Sequence, residues 1–202
     1  KEDQILFRAT APGGTSLAGD NDVAQARAAD YVVPAMGVGR FNGPTLDKLL
    51  AGKAVAVSPF IGETSQSMAG GGTPQDLETM FQLIYLRFTQ PRADPTAFAG
   101  TVSQAKGLLA NREANPDVAF GRALDAALSQ NHPRRAPETP ATVGQWDMAR
   151  ATAFYKARFA DASRFTFVFV GSFTPEMLKP FVETYLASLP ATHGSETWRD
   201  VG

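Results

Sequence analysis

The strongest pattern in this sequence is a long amphipathic stretch that follows a helix-start signal. Thr73-Pro74-Gln75-Asp76 supplies a hydroxyl for the N-cap, a proline for the first turn and an acid at the third position. Apolar residues then recur at helical spacing, at Leu77, Met80, Phe81, Ile84, Tyr85 and Phe88. A helix with so broad an apolar face has to pack against another layer of structure.

Other segments alternate with a period of two, which is typical of strands. Residues 5–9 and 54–60 are two such segments, and residues 63–69 are expected to pair with the second as a hairpin that ends at Gly70-Gly71-Gly72. In residues 164–171, phenylalanines on one face alternate with threonine and valine on the other. Because both of its faces are largely apolar, this segment is predicted to be a central strand.

Six further segments have the spacing of helices. They begin near Asn21, Thr45, Phe98, Asn115, Met148 and Thr174. Pro34 is expected to kink or end the first of them, and the helix that begins near Asn115 carries Phe120, Leu124 and Leu128 on one face. The order of elements predicts an α+β domain with a mostly antiparallel sheet and helices packed on one face. We expect a single domain over residues 1–190, with residues 191–202 beginning a linker to a following domain.

Composition excludes several classes of protein. The 202 residues include no cysteine, so disulfides, thiolate zinc sites and cysteine nucleophiles are ruled out. Nineteen lysines and arginines face 20 acids, which removes the electrostatic support that nucleic-acid binding needs. The longest apolar runs have the length of a strand, so no membrane insertion is expected.

Few residues suggest catalysis. His132 and His193 lie in different segments, whereas a zinc site needs three or four converging ligands. Ser16, Ser65 and Ser67 lack a nucleophile-elbow motif. No catalytic residue and no metal ligand are predicted in this chain.

Three arginines and a run of glycines are the remaining candidates for binding, and each also has a structural interpretation. Arg87, Arg92 and Arg112 border the helical layer, where an arginine either holds a carboxylate bidentately or lies along the surface with its charge in water. Gly70-Gly71-Gly72 precedes a helix N-terminus, a physical setting for an anion. The favoured interpretation of these glycines is the end of a strand with close approach of two backbones.

Eight short segments follow one another along the chain: residues 7–18 (FRATAPGGTSLA), 37–41 (GVGRF), 46–53 (LDKLLAGK), 71–78 (GGTPQDLE), 83–92 (LIYLRFTQPR), 154–159 (FYKARF), 167–173 (FVFVGSF) and 185–190 (YLASLP). In this order they resemble the pitrilysin/insulinase family of zinc peptidases. Together they extend over nearly the whole chain.

The resemblance implies repeated α+β domains in two halves that close around a peptide chamber. The active half of such a protein carries His-x-x-Glu-His on its first helix, with a glutamate ligand further along the chain. The matching segment here, residues 28–36 (AADYVVPAM), lacks both histidines and the glutamate. The resemblance therefore implies the first domain of the non-catalytic half, with zinc held by the catalytic half of the same parent protein. The family's substrate-binding arginine and tyrosine belong to the next domain, beyond this chain.

Such a domain is expected to form a wall of the chamber and to bind an extended peptide substrate along a strand edge. The candidate residues for that edge are Thr64, Ser65, Gly70, Gly71 and Gly72, because glycine and small side chains permit close backbone approach. Two alternatives stay open: a structural scaffold without a peptidase role, and a small module that binds anions at Gly70–Gly72. A bacterial, periplasmic setting agrees with the lack of cysteine.

Overall fold

The computed structural model describes residues 3–113 and 115–202. Its strands are β1 (Ile5–Pro12), β2 (Val55–Ile61), β3 (Ser65–Gly72) and β4 (Thr166–Gly171). They form one antiparallel sheet in the order β2-β3-β1-β4. Ile5 of β1 lies opposite Gly72 on one side and Gly171 on the other. The first strand of the chain therefore lies inside the sheet.

Eight helices join and cover these strands in the described part of the chain. They are α1 (Val23–Ala35), α2 (Gly43–Leu50), α3 (Leu77–Thr89), α4 (Pro95–Glu113), α5 (Pro116–Leu128), α6 (Pro140–Val143), α7 (Met148–Phe159) and α8 (Pro175–Phe181), which continues as a π-helical turn over Val182–Leu186. Short 3-10 turns lie at Gly14–Leu17, Asp20–Asp22, Pro74–Asp76, Pro133–Arg135 and Ala162–Arg164.

The helices cover one face of the sheet, as predicted for the α+β class. Along β1, Ile5, Phe7 and Ala9 are buried against the helical layer, while Leu6 and Arg8 between them are exposed on the other face. This alternation follows from the two-residue period of a strand. The α+β prediction is therefore confirmed.

Aromatic rings join the helical layer to the sheet. Phe81 of α3 stacks on Phe169 of β4, with ring centroids 5.2 Å apart. Phe88, two turns further along α3, meets Phe165 edge to face at 5.0 Å. Tyr155 of α7 is fully buried in the same core. The apolar face predicted for α3 thus lies where its spacing requires.

Strand β4 was predicted to be central, and this prediction is wrong. Among the strands that the structure describes, it pairs with β1 alone and forms an edge of the sheet. Its phenylalanines face the helices, but Val168 and Val170 on the opposite face are 48% and 61% exposed. Apolar residues on both faces of a strand do not show which strands lie beside it.

The β2–β3 hairpin is present, but β3 is longer than predicted. The N–H of Gly62 donates to the carbonyl of Ser65 across the turn, at 2.9 Å. Gly70, Gly71 and Gly72 continue β3 and do not end it. A β-carbon at Gly70 would lie 2.0 Å from the carbonyl oxygen of Ala56, so glycine permits the close approach of β2 and β3 there. Close backbone approach, the favoured interpretation, is confirmed.

Helix ends follow the local signals in most places. Asn115 accepts from the N–H of Asp117, and Thr174 accepts from the N–H of Met177, so both act as N-caps. Pro34 lies in the last turn of α1 and ends it. Thr73 begins a 3-10 turn that leads into α3, and its hydroxyl lies 3.2 Å from a carboxylate oxygen of Asp76. Among the helices that the structure describes, none is both long and apolar enough to cross a membrane.

Residues 191–202 lie along the body of the domain without regular secondary structure. Glu196 forms ion pairs with Arg158 and Arg164, and the backbone N–H of Arg199 donates to the hydroxyl of Ser16. Thr192 is held by Asp161. The boundary predicted at residue 190 stays a prediction.

Candidate functional site

The five residues predicted to form a peptide-binding edge do not lie at an edge. Thr64 is in the hairpin turn, where its carbonyl accepts from the N–H of Gly13 at 2.8 Å. Ser65 and the three glycines belong to β3, which is paired with β2 on one side and β1 on the other. The edge placement is therefore wrong, because β1 inserts beside β3 through a long-range pairing that local patterns do not reveal. Because Gly70–Gly72 belong to a paired strand, they do not form the loop that the anion-binding alternative requires.

Strand β2 forms the open edge of the hairpin. The Gly62–Ser65 bond identifies the hydrogen-bonded pairs, which then recur at every second residue toward Ala56. The residues between them, Val55, Val57, Pro59 and Ile61, direct their backbone groups away from β3. These four positions are the free edge of the sheet on this side.

Only part of this edge has N–H groups that are free to pair. Pro59 has no N–H, and the N–H of Ile61 donates to the Asp30 carboxylate at 2.7 Å. Proline and charged side chains at such positions limit unwanted pairing between sheets. The N–H groups of Val55 and Val57 remain directed at the open edge, so any added strand would pair at this end of β2.

A groove of about 320 Å³ lies beside that end of β2. It is lined by Leu46, Asp47, Leu50, Ala51, Val55, Ala56, Val57, Ser58, Leu83 and Arg87. The walls of this groove are helix α2, the side chains of Leu83 and Arg87 on α3, and the edge of β2. Most of the lining side chains are apolar, and Arg87 is the cation among them. We call this groove the β2 groove.

A larger cleft of about 1210 Å³ lies at the other end of β2. Tyr31 and Phe60 contribute aromatic surface to it. From α1 the cleft is lined by Arg27, Asp30 and Tyr31, which lie three and four residues apart and so share one side of the helix.

These α1 residues do not fit a zinc ion. The guanidinium of Arg27 donates to the carbonyls of Arg134 and Ala136 and is a cation itself. Burial raises the pKa of Asp30, and the hydrogen bond from Ile61 partly offsets this. Over residues 3–113 and 115–202, no group of three or more His, Asp or Glu side chains is arranged to hold a metal.

The other residues that the sequence suggested for catalysis or binding take part in local structural contacts or are exposed. His132 accepts from the N–H of Arg134 and caps a turn, and His193 is exposed. The hydroxyl of Ser16 donates to the carbonyl of Gly13 at 2.6 Å. Arg92 pairs with Asp94 at 3.4 Å.

Comparison with known proteins shows which fold this is. The chain matches no protein-family model, and no curated protein matches it. Among solved structures it is similar to the periplasmic protease PqqL from Escherichia coli, with a TM-score of 0.79 and 19% identity over 100% of this chain. The ferredoxin protease FusC, solved as a mutant with Arabidopsis ferredoxin, matches 98% of this chain with a TM-score of 0.79 and 17% identity.

A third similar structure is the peptidase M16 inactive domain from Pseudomonas fluorescens, with a TM-score of 0.75 and 16% identity over 98% of this chain. The chain spans 22% of the length of PqqL, 22% of FusC and 49% of this inactive-domain protein. Its fold is that of a domain of M16 peptidases, the pitrilysin/insulinase type that the sequence resembles. The predicted resemblance is confirmed at the level of the fold.

Proposed function

We propose that this chain is a non-catalytic domain of a zinc metalloendopeptidase and forms a wall of its peptide chamber. The M16 fold supports this proposal, as does the chemistry of α1, which contains no histidine and presents Arg27, Asp30 and Tyr31 to the large cleft. A guanidinium cannot coordinate a cation. Zinc and its activated water would then belong to the catalytic half of the parent protein, which is also the partner of this domain.

The domain would bind extended substrate at the free edge of β2. The observation that carries this role is the open pair of N–H groups at Val55 and Val57, directly beside the β2 groove. Strand addition supplies main-chain hydrogen bonds that do not depend on sequence, while the groove contacts alternate side chains of the peptide.

Metal content and cleavage test the assignment to a non-catalytic domain. Zinc and peptidase activity are measured on the 202-residue chain and on the full-length parent at equal protein concentration. We expect stoichiometric zinc and cleavage in the parent alone. Stoichiometric zinc in the short chain would overturn the assignment, and a parent with neither would favour the structural scaffold.

A single substitution tests the peptide-binding edge. In the full-length parent, Val57→Pro removes one outward N–H and keeps an apolar side chain of similar size. Loss of one hydrogen bond, worth about 0.5–1.5 kcal/mol, should weaken peptide binding by about 2- to 10-fold. Val57→Ile keeps the N–H and is the matched control. Equal affinity of the proline variant and the control would refute peptide pairing at β2.

A further inference from the structure

Arg87 is a half-buried cation for which the described residues supply no anionic partner. Its Nη1 donates to the carbonyl of Pro34 at 3.1 Å, while its Nε is buried and has no hydrogen-bond partner among the described residues. Within the described ranges, no carboxylate lies at ion-pair distance from it. By contrast, the buried Arg158 is paired with Glu196. A charge removed from water is costly unless it is paired, so the isolation of Arg87 calls for a partner.

The position of Arg87 is well defined. The buried hydroxyl of Tyr155 donates to the backbone carbonyl of Arg87 at 3.1 Å, which ties this turn of α3 to α7. Burial lowers the pKa of Arg87, but an arginine side chain keeps its proton in proteins. The β2 groove therefore has a permanent positive charge in its wall.

The other lining residues favour an apolar chain segment that carries one acidic group. Leu46, Leu50 and Leu83 contribute aliphatic surface. Asp47 is the acid in the lining, and it is exposed on α2 and forms no ion pair with Arg87. The groove is thus left with an unneutralised guanidinium beside aliphatic walls.

Geometry relates Arg87 to the proposed peptide. A strand added to β2 alternates its side chains between the two faces of the sheet. Val57 points to the helical face, where Leu83 and Arg87 of α3 also lie. Side chains of the added strand that point to this face would enter the groove next to the guanidinium.

We propose that Arg87 binds a carboxylate of the peptide that pairs with β2. Guanidinium and carboxylate match as a two-pronged hydrogen-bonded pair, and no carboxylate of the described residues lies at ion-pair distance from Arg87. The carboxylate is either an acidic side chain or the C-terminus of the peptide. This proposal rests on peptide binding at β2 and adds a preference for acidic substrates.

Paired peptides test the preference in the full-length parent. One pair differs by Glu against Gln at a single position, scanned along the sequence, and a second pair differs by a free against an amidated C-terminus. The wild type should prefer one acidic member by about 10- to 150-fold, the range for a hydrogen bond to a charged group. A Glu preference identifies a side chain as the source, and a preference for the free C-terminus identifies the terminal carboxylate.

Variants show whether Arg87 is responsible. Arg87→Gln should abolish the preference, so that the acidic and the neutral member of each pair bind equally. Lys48→Gln removes the same charge from the exposed side of α2, outside the lining, and should keep the preference. If Arg87→Gln does not fold, Ala51→Glu supplies an internal carboxylate at the groove and should also abolish the preference, while Ala51→Gln should keep it.

The outcomes separate this inference from the proposed function. An acidic preference that survives Arg87→Gln or Ala51→Glu, or the lack of any preference in the wild type, would overturn the role of Arg87. If Val57→Pro still weakened the binding of all peptides in that case, peptide pairing at β2 would remain supported without a role for Arg87. Equal binding by Val57→Pro and Val57→Ile would overturn both.

Discussion

At the residue scale, Asp161 holds the C-terminal segment to the body of the domain. Its carboxylate accepts from the N–H and hydroxyl groups of both Ser163 and Thr192, and from the N–H of Gly194. It also forms an ion pair with Arg164 at 3.6 Å. The hydroxyls of Ser163 and Thr192 hold the pKa of Asp161 well below its usual range. The charged form of this side chain is therefore the form that the folded state requires.

The depressed pKa predicts an acid-dependent loss of stability. A carboxyl whose pKa is lower in the folded chain stabilises the fold above about pH 4, the value for unfolded chains, and loses this contribution as the pH falls further. Asp161→Asn should lower the denaturation midpoint at pH 7 and flatten its decline between pH 5 and about pH 2. Urea denaturation across this range measures both effects. The exposed Asp125→Asn is the control, and an unchanged slope in Asp161→Asn would contradict the prediction.

At the element scale, the β2–β3 pair depends on glycine at one point. The alternating strand pattern ends where the glycines begin, so the sequence alone favoured a strand end there. The structure shows that Gly70 lies where a β-carbon would meet the backbone of Ala56. Because Gly70 has no side chain, β3 can continue beyond Ala69 and pair with β2 there.

Two glycine substitutions should therefore have opposite effects. Gly70→Ala forces a clash with backbone and should destabilise the chain by about 1–3 kcal/mol or more. Gly100→Ala, in α4 with open space around it, should stabilise it by about 0.5–1 kcal/mol because alanine loses less backbone entropy. Chemical denaturation of the 202-residue chain compares the two variants. A mild effect of Gly70→Ala would contradict the close approach of β2 and β3 at this position.

Helix α5 shows that helical spacing does not imply burial. Its start at Asn115 was predicted and is confirmed, together with the apolar spacing of Phe120, Leu124 and Leu128. These three side chains are nevertheless 71%, 46% and 75% exposed. Spacing determines which residues share a face, whereas tertiary packing determines whether that face meets another element.

At the scale of the whole molecule, residues 191–202 contribute to the body that they cross. Glu196 pairs with Arg158 and Arg164, which are both largely buried. Removal of the segment would take Glu196 away from these two cations and would remove the hydrogen bonds that Thr192 and Gly194 donate to Asp161. Residues 191–202 thus contribute to the stability of the domain, whether or not its boundary lies at residue 190.

Truncation should reveal this contribution. A chain that ends at Pro190 should unfold at lower denaturant concentration than the 202-residue chain, because unpaired buried charges are costly. Glu196→Gln keeps the segment and removes one charge, so its midpoint should lie between the two. Equal midpoints for the truncated and the longer chain would show that the tail is only a linker.

Much of the fold could be predicted, but less of the candidate site. Helix α3 and the caps at Asn115 and Thr174 are local features, encoded within a few residues. Arg87 was recognised as one of three arginines that could hold a carboxylate. Arg92 forms an ion pair with Asp94, whereas Arg87 does not pair with an acid of the described residues. This difference depends on which acids lie near each arginine in the folded chain. The sequence placed the edge at β3 because a hairpin of β2 and β3 follows from local patterns, whereas the long-range pairing of β1 with β3 does not.

The sequence by itself determined the two periodicities, the helix starts, the α+β class and the lack of cysteine and zinc-motif residues. These properties follow from side-chain chemistry and from spacing over a few residues. Only the tertiary structure decided the strand order, the open edge at β2 and the isolation of Arg87. They depend on contacts between distant parts of the chain, such as Ile5 with Gly72 and Gly171, whose free energies no local pattern contains.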